Sequence, residues 1–453
     1  MPDKLNSIST IDGRYSKEAS ILSHYFSEYA LMKYRVMVEV EYIISLSKEK
    51  KLVGLPLIDN NTQRLLRKLY QNFDSISARR IKKIETQTNH DVKAVEIFVT
   101  EKLKKMNKSS LIPWVHFGLT SEDVNNLSYT IMWRDGIKNV YLDKLHALIK
   151  SIRAMATKYS KDAILSLTHG QPATPTTFGK EMAVFYNRLN SKYQKLKKME
   201  LNGKMNGATG TWAAHFFAYP DVDWINFSNR FIKSFGLKHN PVTTQIESHD
   251  SLAEQYHLLC SVNSILIDFS NDIWLYISRG LLTQKKISAE VGSSTMPHKI
   301  NPIHFENAEG NCGLANPLLI HLANKLTVSR LQRDLSGSTV IRNQGLAMGY
   351  CVIALNNLIK GTGRLEMNKQ CAKIELNKHW EILAEAIQTI LRKNGSSNAY
   401  ERIKELTRGK NINKENIQEI ILSLDLPKDD RNKLIDLTPE MYIGLSPVLA
   451  KLR

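Results

Sequence analysis

Apolar residues recur along this chain at intervals of three or four, the spacing that lines one face of an α-helix. Tyr141, Leu145, Leu148, Ile152, Met155 and Tyr159 form one such stripe. Leu252, Tyr256, Leu259, Val262, Leu266, Phe269, Ile273 and Tyr276 form a longer one. Both lie in proline-free tracts, from Pro113 to Pro172 and from Pro241 to Pro297. An interior proline removes a backbone hydrogen bond and costs about 3 kcal/mol, so its absence permits long helices. Further helices are predicted over Phe178–Glu200, Pro317–Leu331 and Val340–Leu358, and no comparable set of alternating, strand-like segments accompanies them. Helices of about 25 residues, at about 1.5 Å each, exceed the width of a small domain and bury their stripes against one another. The pattern predicts an all-α protein of three helical domains. Residues 1–119 form the first, 120–363 a central long-helix bundle, and 364–453 a more polar C-terminal domain with a charge-rich run through Lys404–Lys414.

Composition narrows the class. With 453 residues, 42% of them hydrophobic, the chain has apolar surface enough to offset its ordering entropy. Four cysteines, Cys260, Cys312, Cys351 and Cys371, form no CxxC pair, which argues against a disulfide framework or zinc ribbon and fits a reducing compartment. No apolar run approaches the ~18 residues that span a bilayer, and the N-terminus lacks signal-peptide character, so the expected location is cytoplasmic. Sixty-two basic side chains against 44 acidic ones leave a net charge of +18. Charge alone does not choose among nucleic acid, an anionic membrane and a small polyanion. Without a basic region, a finger or an RNP-like aromatic motif a solvated basic surface is the favoured reading, and neither a nucleic-acid nor a membrane partner is expected.

The segment from Gly292 to Pro302, GSSTMPHKINP, concentrates candidate chemistry. Gly292 permits unusual backbone angles, Ser293 and Ser294 are small and polar, and Pro297 and Pro302 stop helix continuation. A polar loop is expected, followed by a helix from about Asn301 or Pro302 whose first turn can hold an anion. Elsewhere, His169 precedes a Gly-Gln-Pro turn and suits a polar role better than burial. His90 is a candidate helix cap, with Asn89 or Asp91 the better one. His116, between Trp114 and Phe117, reads equally as a core histidine or a functional one. Asp123 reads as a first-turn carboxylate with Thr120 or Ser121 as the cap. Arg333 and Arg342 read by themselves as surface charge. No HExxH spacing, P-loop, post-strand GxGxxG or GxSxG elbow is present, so metal, nucleotide-hydrolysis, dinucleotide and hydrolase-triad chemistry lack support.

These segments resemble a known family. GSSTMPHKINP is similar to the signature loop of the fumarase/aspartase superfamily, GSSxMPxKxNP, at every fixed position. Thr168–Pro175 (THGQPATP), Thr88–Glu96 (TNHDVKAVE), Trp114–Asp123, Asp12–Tyr15, Thr244–Glu247 and Arg333–Arg342 resemble segments of its adenylosuccinate lyase branch. Lys404–Lys410 resembles the longer bacterial form. The match covers nearly the whole chain. It implies an enzyme that releases fumarate from polyanionic nucleotides, without metal or organic cofactor, as a homotetramer with shared active sites. It implies Ser293 as catalytic base and His169 as general acid. Lys299 and Asn301 are implied to hold substrate carboxylates. Arg14, Tyr15, Asn89, His90, Asp91, Thr120, Ser121, Gln245, Ser294, Ile300, Asn307, Arg333, Ser338 and Arg342 are implied to bind substrate, with His116 and Glu306 in support. The rivals are another lyase of the superfamily, such as argininosuccinate lyase, and a non-catalytic relative on the same scaffold.

Overall fold

A computed structural model describes residues 4–285, 296, 299–407 and 412–452. Helices dominate it: α1 (Glu28–Leu46), α2 (Asn60–Gln71), α3 (Ser75–Thr88), α4 (Asp91–Lys105), α5 (Ser121–Gly136), α6 (Leu142–Lys158), α7 (Phe178–Lys198), α8 (Trp224–Ser234), α9 (Asp250–Ser278), α10 (Ile303–Leu326), α11 (Ser336–Ile341) and α12 (Gln344–Thr362). Shorter helices follow: α13 (Lys369–Asn377), α14 (Ala384–Lys393), α15 (Ala399–Thr407), α16 (Lys414–Ser423) and α17 (Lys428–Ile435). The all-α class holds, and both apolar stripes lie on long helical segments. Every stripe residue from Leu252 to Ile273 is buried along the 29-residue α9. The stripe from Tyr141 to Tyr159 is buried as well, and a π-type turn at Ile137–Tyr141 joins α5 to α6.

Two helix boundaries differ from expectation. The helix expected to start at Pro317 is the second half of α10, which begins at Ile303 and runs through that proline. Burial of Cys312, Ala315, Leu319, Leu322 and Ala323 along its face outweighs the backbone bond that Pro317 removes. The helix expected over Val340–Leu358 is divided, with α11 ending at Ile341 and α12 starting at Gln344.

Short strands also occur, against expectation. β1 (Ala163–Thr168) pairs antiparallel with β2 (Gln171–Thr177). β3 (Asn202–Gly203) pairs parallel with β4 (Lys238–His239), and β5 (Leu282–Gln284) antiparallel with β6 (Leu365–Met367). Period two is invisible in β1 because Ala163, Ile164 and Leu165 are buried in succession. β2 carries Pro172 and Pro175, tolerated because a strand in a two-stranded sheet has a free edge.

The chain divides into two compact units. The first comprises Met1–Leu145, Lys192–Ser264 and Gly310–Asn356. In it α1 is buried almost all round and packs on α5, whose Trp133 meets Tyr256 edge-on at 4.8 Å and donates to Gln255 at 2.7 Å. The second comprises His146–Ser191, Ile265–Glu309 and Asn357–Arg453. Its core gathers Leu165 of the hairpin with Trp380, Ile387, Leu391, Ile403, Ile417 and Ile421. Gly179 is obligatory there, since a Cβ would lie 2.4 Å from the Ala156 carbonyl oxygen. Among the described residues, no helix is long and apolar enough to cross a membrane.

Candidate active site

In the first unit the start of α5 is fixed from below. Thr120 is its N-cap, and the Thr120 N–H donates to Asp123 Oδ2 at 2.9 Å. The same carboxylate accepts from the Asn206 and Gly207 N–H groups at 3.0 and 3.1 Å and pairs with Lys204 Nζ at 2.9 Å. Lys204 is wholly buried, so this ammonium serves the fold and not solvent. Gly118, at φ +66°, passes so close to His215 that a Cβ would lie 2.8 Å from the ring. Burial pushes His215 down to about 4, and Tyr42 Oη meets its Nε2 at 2.8 Å.

Above this start lies a cavity of about 350 Å³. Asn89, His90, Asp91, Ser121, Arg333, Ser338 and Arg342, all named from sequence, line it. Asn89 ends α3 in the left-handed region at φ +50°. His90 is itself the N-cap of α4, its Nδ1 accepting from the Lys93 N–H at 3.2 Å, so the cap is neither Asn89 nor Asp91. The left-handed turn at Asn89 leaves His90 extended, which aims its ring at the first free N–H groups. Asp91 Oδ2 accepts from Arg35 Nη2 and Arg342 Nη2, both at 2.8 Å. Burial alone would raise the Asp91 carboxyl, but the two guanidiniums outweigh it and hold it at about 2.

Arg333 donates to Gln245 Oε1 at 2.8 Å and pairs with Glu122 at 3.3 Å. Gln245 in turn donates to the Ala208 carbonyl at 2.8 Å and lines an adjoining, more open cavity of about 590 Å³. Burial raises the Glu122 carboxyl, and Arg333, His249 and Lys204 offset only part of that rise. The excess positive charge of the whole chain is not simply gathered here. Glu85, Asp91, Glu122 and Asp334 also line the cavity, each already engaged. Glu85 pairs with Lys82 at 2.9 Å. Asp334 accepts from the Ser336 hydroxyl and from the Arg330 and Ser336 N–H groups, which lower it.

His116 sits apart from that lining. Its Nδ1 meets Glu39 Oε1 at 2.5 Å, its N–H reaches Glu39 Oε2 at 3.1 Å, and Nε2 stands 3.8 Å from Glu96. Burial would lower the imidazole, but Glu39, Glu96 and Asp123 together raise it. Arg14 and Tyr15 precede the short helical turn Ser16–Ala19, the guanidinium 6.0 Å from the centroid of the Tyr15 ring.

The remaining candidates belong to the second unit. His169 is exposed at the tip of the β1–β2 hairpin. Both turn residues, His169 at φ +51° and Gly170 at +73°, have the positive angles that suit a two-residue hairpin. Lys299 and Ile300 are exposed, and the Ile300 carbonyl accepts from Gln284 at 3.4 Å. Asn301 precedes α10. Glu306 accepts from Trp274 Nε1 at 3.1 Å, and Asn307 accepts from Asn357 at 2.8 Å. Ser293 and Ser294 lie outside the described residues, as do Pro297 and His298.

Sequence reasoning missed Arg35, Glu122 and His249, which line the cavity. Arg35 had a signal, because it interrupts the apolar stripe Leu31, Val38, Tyr42 of α1 with a charge. His249 is buried at φ +61°, and its Nδ1 lacks a hydrogen-bond partner, 3.8 Å from Glu247. Asn89, His116, His169 and His249 are among the few non-glycine residues with positive φ, a strain that concentrates at functional sites.

Comparison with known proteins agrees with this arrangement. A family model described as lyase matches residues 13–315, and one described as adenylosuccinate lyase C-terminal matches residues 329–443. The adenylosuccinate lyase of Legionella pneumophila (strain Corby) is 48% identical over 448 residues, covering 99% of this chain and 98% of its own. That of Escherichia coli (strain K12) is 46% identical over 441 residues, 97% of each. Among solved structures, a fumarate lyase from Mesorhizobium sp. BNC1 superposes with a TM-score of 0.75 at 16% identity, covering 95% of this chain and 96% of that one. The 3-carboxy-cis,cis-muconate lactonizing enzyme from Pseudomonas putida gives 0.73 at 18%, covering 95% of each. At those identities the structures establish the fold. The sequence matches go further, and by them the chain belongs to the adenylosuccinate lyase family.

Proposed function

We propose that this chain eliminates fumarate from adenylosuccinate, giving AMP, and from succinyl-aminoimidazole-carboxamide ribotide. The observation that carries the reading is that residues from separate family segments, Asn89–Asp91, Ser121 and Arg333–Arg342, line one cavity. The elimination moves a proton and a leaving group without net oxidation, which a base, an acid and charge-stabilising donors can accomplish. Ser293 takes the proton from the carbon beside a carboxylate. Lys299 and Asn301 stabilise the charge that builds on that carboxylate. As the C–N bond breaks and the C=C bond forms, His169 delivers a proton to the departing nitrogen. Arg333, Ser338 and Arg342 hold the anionic end of the nucleotide, with Arg14 and Tyr15 beside it. Asn89, His90, Thr120, Ser121, Gln245, Ile300 and Asn307 complete the contacts, and His116 and Glu306 support them.

His169 stands exposed on a two-residue turn, which suits a group presented to a site that other residues complete. The working form in this reading is a cytoplasmic homotetramer whose sites combine residues of several copies, with the bundle at 120–363 as the assembling domain. Release of fumarate from adenylosuccinate, followed by ultraviolet absorbance with argininosuccinate as the control, tests the activity. Fumarate from argininosuccinate alone, or from neither, would overturn the reading.

A further inference from the structure

Arg35 lies in the middle of α1, whose buried residues are mostly apolar, and its side chain is 3% exposed. A buried guanidinium is retained only where its charge and donors are answered. Here Nε donates to Asn125 Oδ1 at 2.9 Å and Nη2 to Asp91 Oδ2 at 2.8 Å. The same Oδ2 accepts from Arg342 Nη2 at 2.8 Å, while Asp91 Oδ1 accepts from the Val92 N–H at 2.9 Å. Oδ2 thus serves the two arginines, while Oδ1 carries one backbone N–H and keeps a further acceptor position. One carboxylate stands between two arginines, of which Arg35 is 3% exposed in the cavity wall and Arg342 is 47% exposed. Glu28 also faces Arg342, but Lys82 holds that carboxylate at 2.7 Å. Buried Tyr129 faces all three members of the triad.

We infer that Arg35 is a positioning residue for substrate binding. It absorbs the charge of Asp91, so that Asp91 orients Arg342 without neutralising it and leaves a full positive charge for the anionic end of the nucleotide. The triad Arg35–Asp91–Arg342 carries a net single positive charge, with the compensated part inside and the free part outside. Without Arg35, Asp91 pairs with Arg342 alone and the exposed cation is cancelled where it is needed. Arg35 touches no reacting atom in this scheme. Its loss therefore acts on affinity and not on the chemical step. The inference rests on the proposed activity, and deepens it by naming what keeps one of its binding arginines charged and aimed.

The test uses the full-length protein and AMP as the probe. Arg35→Met is expected to weaken AMP binding, measured by calorimetry, and to raise KM for adenylosuccinate by about ten- to a hundredfold, the range lost with one charge-assisted contact. Its kcat should stay within about threefold of wild type, because binding alone is affected. Arg35→Lys, which keeps the charge, should recover most of the affinity. Asp91→Asn in the Arg35→Met background should also recover affinity, because it removes the carboxylate that cancels Arg342. A purely structural role for Arg35 predicts no such recovery. Folding is checked by circular dichroism, and Arg35→Gln, which keeps a side-chain amide for Asn125, replaces Arg35→Met if that variant does not fold. Unchanged AMP affinity in a folded variant, a fall in kcat at constant KM, or loss of the fold in both variants would each overturn the inference. Wild-type protein that releases no fumarate would instead overturn the proposed activity, and the AMP titrations remain readable by themselves.

Discussion

At the scale of single residues the chemistry turns on protons. His169→Gln keeps hydrogen-bonding shape but loses the transferable proton, so turnover should fall by 10²–10⁴, the usual contribution of general acid catalysis, with affinity changed much less. Turnover above about a tenth of wild type would remove His169 from the acid role and make His90 the next candidate. Ser293→Ala should abolish turnover while substrate still binds. If Ser294→Ala were the inactive variant instead, the base would move by one position. His116 gives a separate prediction about stability. Its folded value is raised above the ordinary one near 6.5 because Glu39, Glu96 and Asp123 outweigh burial. The protonated ring thus contributes stability that is complete below the unfolded value and lost as pH rises through the folded one. Melting temperature followed across neutral to alkaline pH should show that loss in wild type. Glu39→Gln should remove it, and an unchanged profile would place the proton elsewhere.

Elements are where short-range rules met their limits. The start of α5 was legible as a capped terminus, since Thr120 and Asp123 stand at the right spacing. That Asp123 also holds Lys204, Asn206 and Gly207 was not, because those residues are about 80 positions away and meet it only in the fold. Lys204→Met should therefore destabilise the first unit by about 3–5 kcal/mol, since it strands a buried carboxylate. Urea unfolding read by tryptophan fluorescence measures this, and a change under about 1 kcal/mol would mean that the backbone donors suffice for Asp123. Replacing Asp123 as well should restore only part, because the Thr120, Asn206 and Gly207 N–H groups would then lose their acceptor. The His90 cap illustrates the same limit. Residue preference favours Asn or Asp, but the left-handed turn at Asn89 decides which side chain faces the helix end.

For the whole molecule, the proposal that sites are shared between copies makes a direct prediction. Mixing inactive His90→Ala and Ser293→Ala proteins, after dissociation and reassembly, should restore part of the activity, because some sites would then combine intact residues from different copies. Verified hybrid tetramers without activity would count against sharing. Family identity, by contrast, needs no assembly to establish, because 48% identity over nearly the whole chain leaves little room for another fold.

What sequence alone determined here is what depends on local order. Periodicity of three or four placed the long helices, because a helix buries one face wherever its neighbours lie. A contiguous signature such as GSSTMPHKINP marked the candidate chemistry, because its residues are neighbours along the chain. Proline rules misjudged α10, where the burial of a whole helix face overrides one lost backbone bond. The charge of Arg35 in an apolar stripe was visible, but its meaning was not. Only the tertiary structure brought Asp91 to it from 56 positions away, and Arg342 to Asp91 from 251 positions away. Charge pairing in a buried site is set by distance in space, and sequence separation carries no record of it.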